Sequence, residues 1–369
     1  MKRLLSVTIS MLLTSTTAYA GGFELPNQSA SALGVSNAFV ATADDASAVL
    51  YNPSGLAWQP GLSVQLGIVT PYRDSSVKLA GGTGPNMGTE AMVGSIYAGW
   101  APIDSAWVVG FGFSSLYQLN NEWSQAFGAA AGTTKLTVDH ASLDAVYAVN
   151  STLAVGLGGD WYLTRADLTQ GANAFKGHDW ASFGGHASLK WKFMPAWSAG
   201  LMLRSGSKIS MSGAANDQLS FKLPDQVSAG IAHDFADVWR VEVDGKWTRW
   251  SSLKNFNVTG LSPQTNTLSL KDTFSVMTGL TWTWRPNTQL RFGYAYDQGA
   301  NKAAGFNPVV ADQDGHQASL GLGGDFTGLH FDLAYSYTYY TKRTATGAFA
   351  GTYRDRRQAF ALSVSKYFD

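Results

Sequence analysis

Hydrophobic and polar residues alternate with a period of two along most of this chain. From Gln289 to Asp297, Leu290, Phe292, Tyr294 and Tyr296 share one face, while Gln289, Arg291, Gly293, Ala295 and Asp297 share the other. From His330 to Tyr339, Phe331, Leu333, Tyr335, Tyr337 and Tyr339 oppose His330, Asp332, Ala334, Ser336 and Thr338. From Thr273 to Trp284, Phe274, Val276, Leu280, Trp282 and Trp284 oppose Thr273, Ser275, Gly279, Thr281 and Thr283. This pattern predicts strands with one apolar face and one polar or small face. Such strands are expected to start near Leu62, Glu90, Ser105, Thr134, Ser151, Asp179, Ala196, Asp217, Ala236, Leu268, Asn287, Asp314, Leu329 and Thr352. That makes about fourteen, an even number, as a closed bacterial barrel requires.

A soluble sandwich would bury the aromatic face. Two features place it outside instead. The strands run to about ten residues or more, the length a tilted membrane-spanning strand needs. Aromatic residues also gather at strand ends, as interfacial girdles do: Trp247 and Trp250, Trp282 and Trp284, Tyr337 to Tyr340, Tyr367 and Phe368. The opposite face carries a charged ladder, Arg240, Glu242, Asp244 and Lys246, which a wet lumen tolerates and a dry core does not. Short turns such as Ala101 to Asp104 and Trp284 to Asn287 alternate with longer connections over Leu119–Thr133, Gly171–His178, Lys254–Thr267, Ala300–Gln313 and Thr341–Gly351. The expected fold is an all-β transmembrane antiparallel barrel of residues 61–369. Closure satisfies every backbone group that lipid cannot.

Composition narrows the class. The 369 residues carry 26 basic and 26 acidic side chains, so no basic surplus exists to displace counterions from a nucleic acid. The chain has no cysteine, which removes disulfides and thiolate chemistry together. Residues 1–20 read as a cleaved secretory signal. Lys2 and Arg3 lead, Leu4 to Leu13 form an apolar stretch, and Ala18-Tyr19-Ala20 supplies the cleavage site. No later segment reaches eighteen continuous apolar residues.

Residues 21–60 do not alternate. "ATADDASAVLYNPSGLAWQPG" pairs two acids, Asp44 and Asp45, with a small-residue run and the turn Asn52-Pro53-Ser54-Gly55. It is too apolar for a disordered leader and too polar to face lipid. With what precedes it, "GGFELPNQSASALGVSNAFVATADDASAVLYNPSGL" resembles the N-terminal hatch of the FadL family of outer-membrane transporters. The family's Gly-Phe start, Leu-Gly, Ala-Asp-Asp-Ala and Asn-Pro-Ala turn all have counterparts here, with Ser54 replacing the usual Ala. The likeness continues through "AGGTG", Asn121-Glu122-Trp123, Leu223-Pro224-Asp225, Lys271-Asp272 and Asp312-Gln313-Asp314. Departures are Ser114-Ser115-Leu116-Tyr117 in place of a Pro-containing turn, a short connection after the fifth strand, and a non-aromatic last residue, Asp369.

The resemblance implies a monomeric fourteen-stranded barrel in the outer membrane of a Gram-negative bacterium, plugged by a lumenal hatch of short helices and turns. It implies uptake of hydrophobic small molecules by ligand-gated diffusion with lateral exit into the membrane. Long-chain fatty acids are the first expectation, aromatic or alkane hydrocarbons the alternative. The implied partners are that ligand, outer-membrane lipid and lipopolysaccharide, and the barrel-assembly machinery; no cofactor is implied. Trp123, Phe127 and Ala130 fall at helical spacing in a loop and are candidates for ligand capture, with loop self-packing the competing reading. Arg165 and Lys271 stand where the family has basic residues near its pocket, as carboxylate partners or as solvated lumenal charges. Phe23 is a candidate pocket wall. Asp44, Asp45, Asn52, Pro53 and Ser54 belong to the hatch, and Gly110, Gly112 and Ser114 are placed at a bend or bulge of the third strand.

Two rival readings, an enzyme and a general porin, compete with a transporter. His140-Ala141-Ser142 puts His and Ser on one strand face, as in an outer-membrane phospholipase. But Asp144 lies about 13 Å from His140 along a strand, too far to orient its imidazole, and no enzyme is expected. Asp312-x-Asp314-Gly315 hints at a calcium loop but lacks the later acidic ligand, and the other histidines show no metal spacing. A general porin would have an open, strongly charged interior without a hatch.

Overall fold

The computed structural model describes residues 22–368, apart from 26–27, 129–130, 171–172, 215–216, 260–263, 303–305 and 311. The expected signal sequence, Ala130 and Asp369 lie outside the described residues.

Fourteen strands close into one antiparallel barrel. They are β1 Gly61–Leu79, β2 Val93–Ala101, β3 Trp107–Glu122, β4 Thr133–Ala148, β5 Leu153–Gln170, β6 Asn173–Met194 and β7 Trp197–Arg204. The second half comprises β8 Gln226–Phe235, β9 Trp239–Thr248, β10 Thr273–Arg285, β11 Thr288–Asp297, β12 Gly315–Phe326, β13 Leu329–Tyr340 and β14 Gly351–Phe368. Each pairs with its chain neighbours, and β1 closes on β14 from Leu62↔Phe368 to Lys78↔Thr352.

The facing follows the alternation. Leu143, Leu157, Phe183, Phe292, Tyr294 and Leu333 are exposed on the outer surface, while Arg291, Ala295, Asp332 and Ser336 are buried within. At the short-turn end, Trp197, His233, Phe235, Trp239 and Trp282 stack in sequence with ring centroids 4.1, 5.9, 6.4 and 5.1 Å apart, an interfacial girdle.

Three expected boundaries shift. The eighth strand begins at Gln226, not Asp217, because Pro224 has no N–H for the ladder. The residues before it form a hairpin, Lys208–Gly213 with Gln218–Lys222, that pairs with a second hairpin from the loop after β9. The supposed loops over 119–122 and 173–178 are strand, so β3 and β6 rise past the apolar band as a projecting collar.

Inside the barrel sits the N-terminal segment: a helix Ala30–Gly34, a helix Ala48–Tyr51 and a 3-10 turn Pro53–Trp58. Such short helices are marginal alone and depend on packing. Ala43 takes φ 35°, and a Cβ on Gly55 would meet its carbonyl oxygen at 2.1 Å, so the Ala-Asp-Asp and Asn-Pro-Ser-Gly stretches fold against each other.

Candidate functional site

The segment is bolted to the wall by side chains. On β9, Asp244 Oδ2 accepts the amides of Phe39 and Val40 at 2.8 and 2.9 Å, and Glu242 Oε1 accepts that of Ala41 at 2.6 Å. Thr42 donates its amide to Glu242 as well, at 3.1 Å to Oε2. On β6, Ser54 Oγ lies 2.8 Å from Ser188 Oγ, and Asn52 Nδ2 donates to the Val40 and Leu189 carbonyls at 2.7 and 3.0 Å. Pro53 opens the 3-10 turn, where its missing N–H costs nothing. Asp44 reaches Arg240 at 2.6 Å at the short-turn mouth. Asp45 points inward, accepting from the Ser47 amide at 2.8 Å and from the Ser31 hydroxyl, and burial pushes its carboxyl up to about 6.

Gly110 and Gly112 serve a different purpose from the expected bend. They face this segment, where a Cβ would come within 2.9 Å of Leu56 and 2.7 Å of Val49 respectively, so they let it approach the wall. The bulge comes later, between Ser115 and Tyr117. There the β2–β3 ladder has already stopped at Ile96↔Phe113, next to the buried Ser114. The freed backbone of β3 is taken up by the start of the chain. Leu25 donates to the Leu116 carbonyl at 2.8 Å, Gln118 donates to that of Phe23 at 3.0 Å, and Gln28 Nε2 donates to that of Ser115 at 2.5 Å.

Above and beside this leading strand lie two joined chambers. The upper one, about 960 Å³ including space open to solvent, is lined by Phe23, Arg73, Asp297, Val310, Tyr340 and Arg357 among others. The lower one, about 610 Å³ on the same measure, is lined by Leu25, Leu50, Tyr51, Leu116 and Met202 on its apolar side and by Arg204, Gln226 and Ser228 on its polar side. Glu24, Asn37, Lys246 and Met277 line both. Every cation lining the upper chamber is engaged. Arg73 pairs with Asp355, Arg357 with Glu90, and Lys246 Nζ with Glu24 Oε1 at 2.9 Å. Asp312, in the loop before β12, accepts the amides of Gly22 and Ala300 at 2.9 and 2.5 Å, and burial pushes its carboxyl well up. Those bonds occupy Asp312 within the loop. Gly22 has φ 74°, and a Cβ there would meet the Trp250 ring at 2.5 Å, so only glycine fits.

The structure brings Phe23 to the chambers, wedged on Tyr117 and Trp250 with centroids 5.7 and 5.0 Å away. Trp123 and Phe127 gather in the loops instead. Trp123 packs edge-on against Tyr353 at 5.4 Å and donates to the Pro308 carbonyl, and Phe127 meets Phe349 at 5.3 Å. Arg165 does not join the chambers: it points out of the barrel, 61% exposed, against Asp139 at 2.6 Å. Lys271 lies in the loop before β10, its amide bonded to the Ala300 carbonyl, outside both linings. The carboxylate partners expected at these two positions are thus not at the cavity. The site's actual charges, Arg73, Asp355 and Arg357, shared an inward parity on β1 and β14 that was readable, but their convergence needed the register.

His140, Asp144, Asp160 and His186 form a second buried cluster under the N-terminal segment, with His140 Nε2 and His186 Nδ1 at 2.6 and 2.9 Å from Asp160 Oδ1. Asp160, not Asp144, orients His140. Arg204, beside Asp160 at 3.7 Å, donates to the Leu50 carbonyl at 3.3 Å, which ties the cluster to the plug.

Comparison with known proteins converges on one family. The sequence pattern described as outer membrane protein transport protein (OMPP1/FadL/TodX) matches residues 11–202 and 174–367. The chain belongs to this family. It is therefore an outer-membrane protein of a Gram-negative bacterium. A long-chain fatty acid transport protein of Escherichia coli is 24% identical over 388 residues, 86% of either chain. A Pseudomonas aeruginosa FadL homologue superposes with a TM-score of 0.83 at 17% identity, covering 95% of this chain and 100% of that one. The toluene transporter TodX of P. putida gives a TM-score of 0.73 at 18% identity, covering 91% and 98%. The latter two establish the fold. The family to which the chain belongs consists of transport proteins rather than enzymes.

Proposed function

We propose that this barrel takes up hydrophobic small molecules, with long-chain fatty acids as the first substrate class, through the paired chambers and out beside the bulge of β3. The observation that carries this reading is the apolar side of the lower chamber at Leu116, where the β2–β3 ladder has ended. A water-filled pore gives an acyl chain no gain, whereas an apolar pocket stabilises it by roughly 0.8 kcal/mol per buried methylene. Trp123, Phe127 and Tyr353 pack on one another as a closed loop cluster; ligand passes beside it to the upper chamber and displaces the leading strand Phe23–Leu25 from β3. Residues 21–60 act as the hatch, and residues 1–20 as the signal that exports the chain. Polar atoms freed at β3 return to the same partners once the ligand leaves, so no energy source is needed.

A second ligand reading, neutral hydrocarbons, is favoured by the pairing of Arg73, Arg357 and Lys246 with acids around the upper chamber, and of Arg204 with Asp160 beside the lower one. The test is binding of laurate and of toluene to the purified barrel, followed by uptake in cells. Met277→Trp, which fills the junction of the chambers, should weaken binding of either ligand about tenfold by overpacking. Undiminished affinity in that variant would place the ligand elsewhere.

A further inference from the structure

The outward face of β4, β5 and β6 changes character abruptly at one level. On β5 the outward residues run Leu153, Val155, Leu157, Gly159, Trp161 and Leu163, and then Arg165 and Asp167. At a rise of ~3.3 Å and a tilt of ~40°, Leu153 to Leu163 covers about 25 Å along the membrane normal, the height of a barrel's apolar band. Trp161 Nε1 donates to the Trp180 carbonyl at 2.7 Å near its upper edge. Directly above, the ladders align Lys135 with Asp167 and Asp167 with Lys176, and set Arg165 between Thr137 and His178.

Lys135, Arg165 and Lys176 therefore fall within about 10 Å of one another, given ~4.8 Å between strands. Their acidic neighbours are Asp139, 2.6 Å from Arg165 Nη2, and Asp167, 3.8 Å from Lys176 Nζ. The Arg165 and Lys176 side chains remain 61% and 84% exposed. At this height on the outside of a barrel, exposure means contact with headgroups of the outer leaflet. Asp139 holds one arm of the guanidinium and leaves its other donors facing outward, a geometry that suits phosphate oxygens. Below, Leu157, Trp161 and Phe183 offer an exposed apolar surface, with the two rings stacked at 6.4 Å.

We propose that Lys135, Arg165 and Lys176 form a docking site for a phosphate-bearing lipid headgroup of the outer leaflet, whose acyl chains lie on the Leu157–Trp161–Phe183 surface. The site is independent of what the lumen carries.

The test uses the full-length barrel in neutral detergent, titrated with lipid A (a glycolipid with two phosphates), with its dephosphorylated form, and with inorganic phosphate. Retention is read by native mass spectrometry. The wild type should retain lipid A better than the dephosphorylated lipid. R165Q with K176Q should weaken lipid A binding about thirtyfold and leave the dephosphorylated lipid nearly unchanged, while R165K with K176R should keep most of the affinity. Equal retention of the two lipids by the wild type overturns the proposal, and so does undiminished lipid A binding by the glutamine variant. Displacement of lipid A by an equal concentration of inorganic phosphate would mark a free-anion site and overturn it too. If the glutamine variant fails to fold, the wild-type comparison of the two lipids still decides.

Discussion

The two parts of the N-terminal segment are held by different means. Residues 28–59 are tied by wall side chains: Asp244 and Glu242 on the Phe39–Thr42 amides, Ser188 on Ser54, Ser319 Oγ on Ser36 Oγ at 2.7 Å and Ser363 Oγ on the Ala30 amide at 3.0 Å. Residues 22–25 are held by backbone bonds to a bulge, by the Asp312 carboxylate on the Gly22 amide, by Glu24 against Lys246 and Gln226, and by one aromatic wedge. Buried carboxyl–amide bonds leave costly orphans when broken. The bulge bonds belong to a strand edge beside a cavity, where a ligand can replace the packing. The contrast assigns the body of the segment to closure and its first residues to gating.

The largest effect should come from removing the bolts. Glu242→Ala combined with Asp244→Ala strands four consecutive amides, at a local cost on the order of 4 kcal/mol. Amide exchange of Phe39 to Thr42 should accelerate by about a thousandfold, and the barrel should conduct ions in a planar bilayer. Unchanged exchange at those positions would show that the body is held by packing alone.

Next comes the leading strand. Phe23→Ala deletes the wedge between Tyr117 and Trp250 and should cost about 3 kcal/mol locally. Trp250 fluorescence should shift to the red while exchange at residues 39–42 stays at its wild-type rate. That pairing separates the two parts: if both respond together, they move as one body. Deleting Gly21 to Ser36 removes more and should uncouple uptake from ligand binding while the barrel still assembles.

The barrel was legible because lipid enforces a two-residue period over long strands, and each lost register would turn charge to hydrocarbon. Arg165 shows where a family likeness outran that rule: it shares odd parity with Leu157, Trp161 and Leu163, and parity alone sets it on the outer face. Gly110 and Gly112 stand out in the sequence as positions without a side chain, but a glycine gives no sign of whether it bends its own strand or admits another segment. The bulge at Ser115–Tyr117 and the Arg73–Asp355 pairing depend on contacts between residues far apart in sequence, which no local pattern encodes.

The smallest expected effect tests the body again, through Asp45. Burial raises its carboxyl from 3.8 to about 6, against the hydrogen bonds from Ser31 and Ser47. A folded value above the unfolded one means the protonated form is favoured in place, so its stabilisation is complete below about 4 and is lost as pH rises through about 6. Between pH 5 and pH 7 the body should loosen by about 1 kcal/mol. Exchange of the Ser47 amide, corrected for its intrinsic pH dependence, should read this as a roughly fivefold change that vanishes in Asp45→Asn. At the leading strand the raised carboxyl is Asp312, which holds the Gly22 amide, whereas the Leu25 amide is held by the Leu116 carbonyl of β3. Exchange at Leu25 should therefore stay flat across the same interval; a parallel slope there would couple the two parts and erase the distinction between plug and gate.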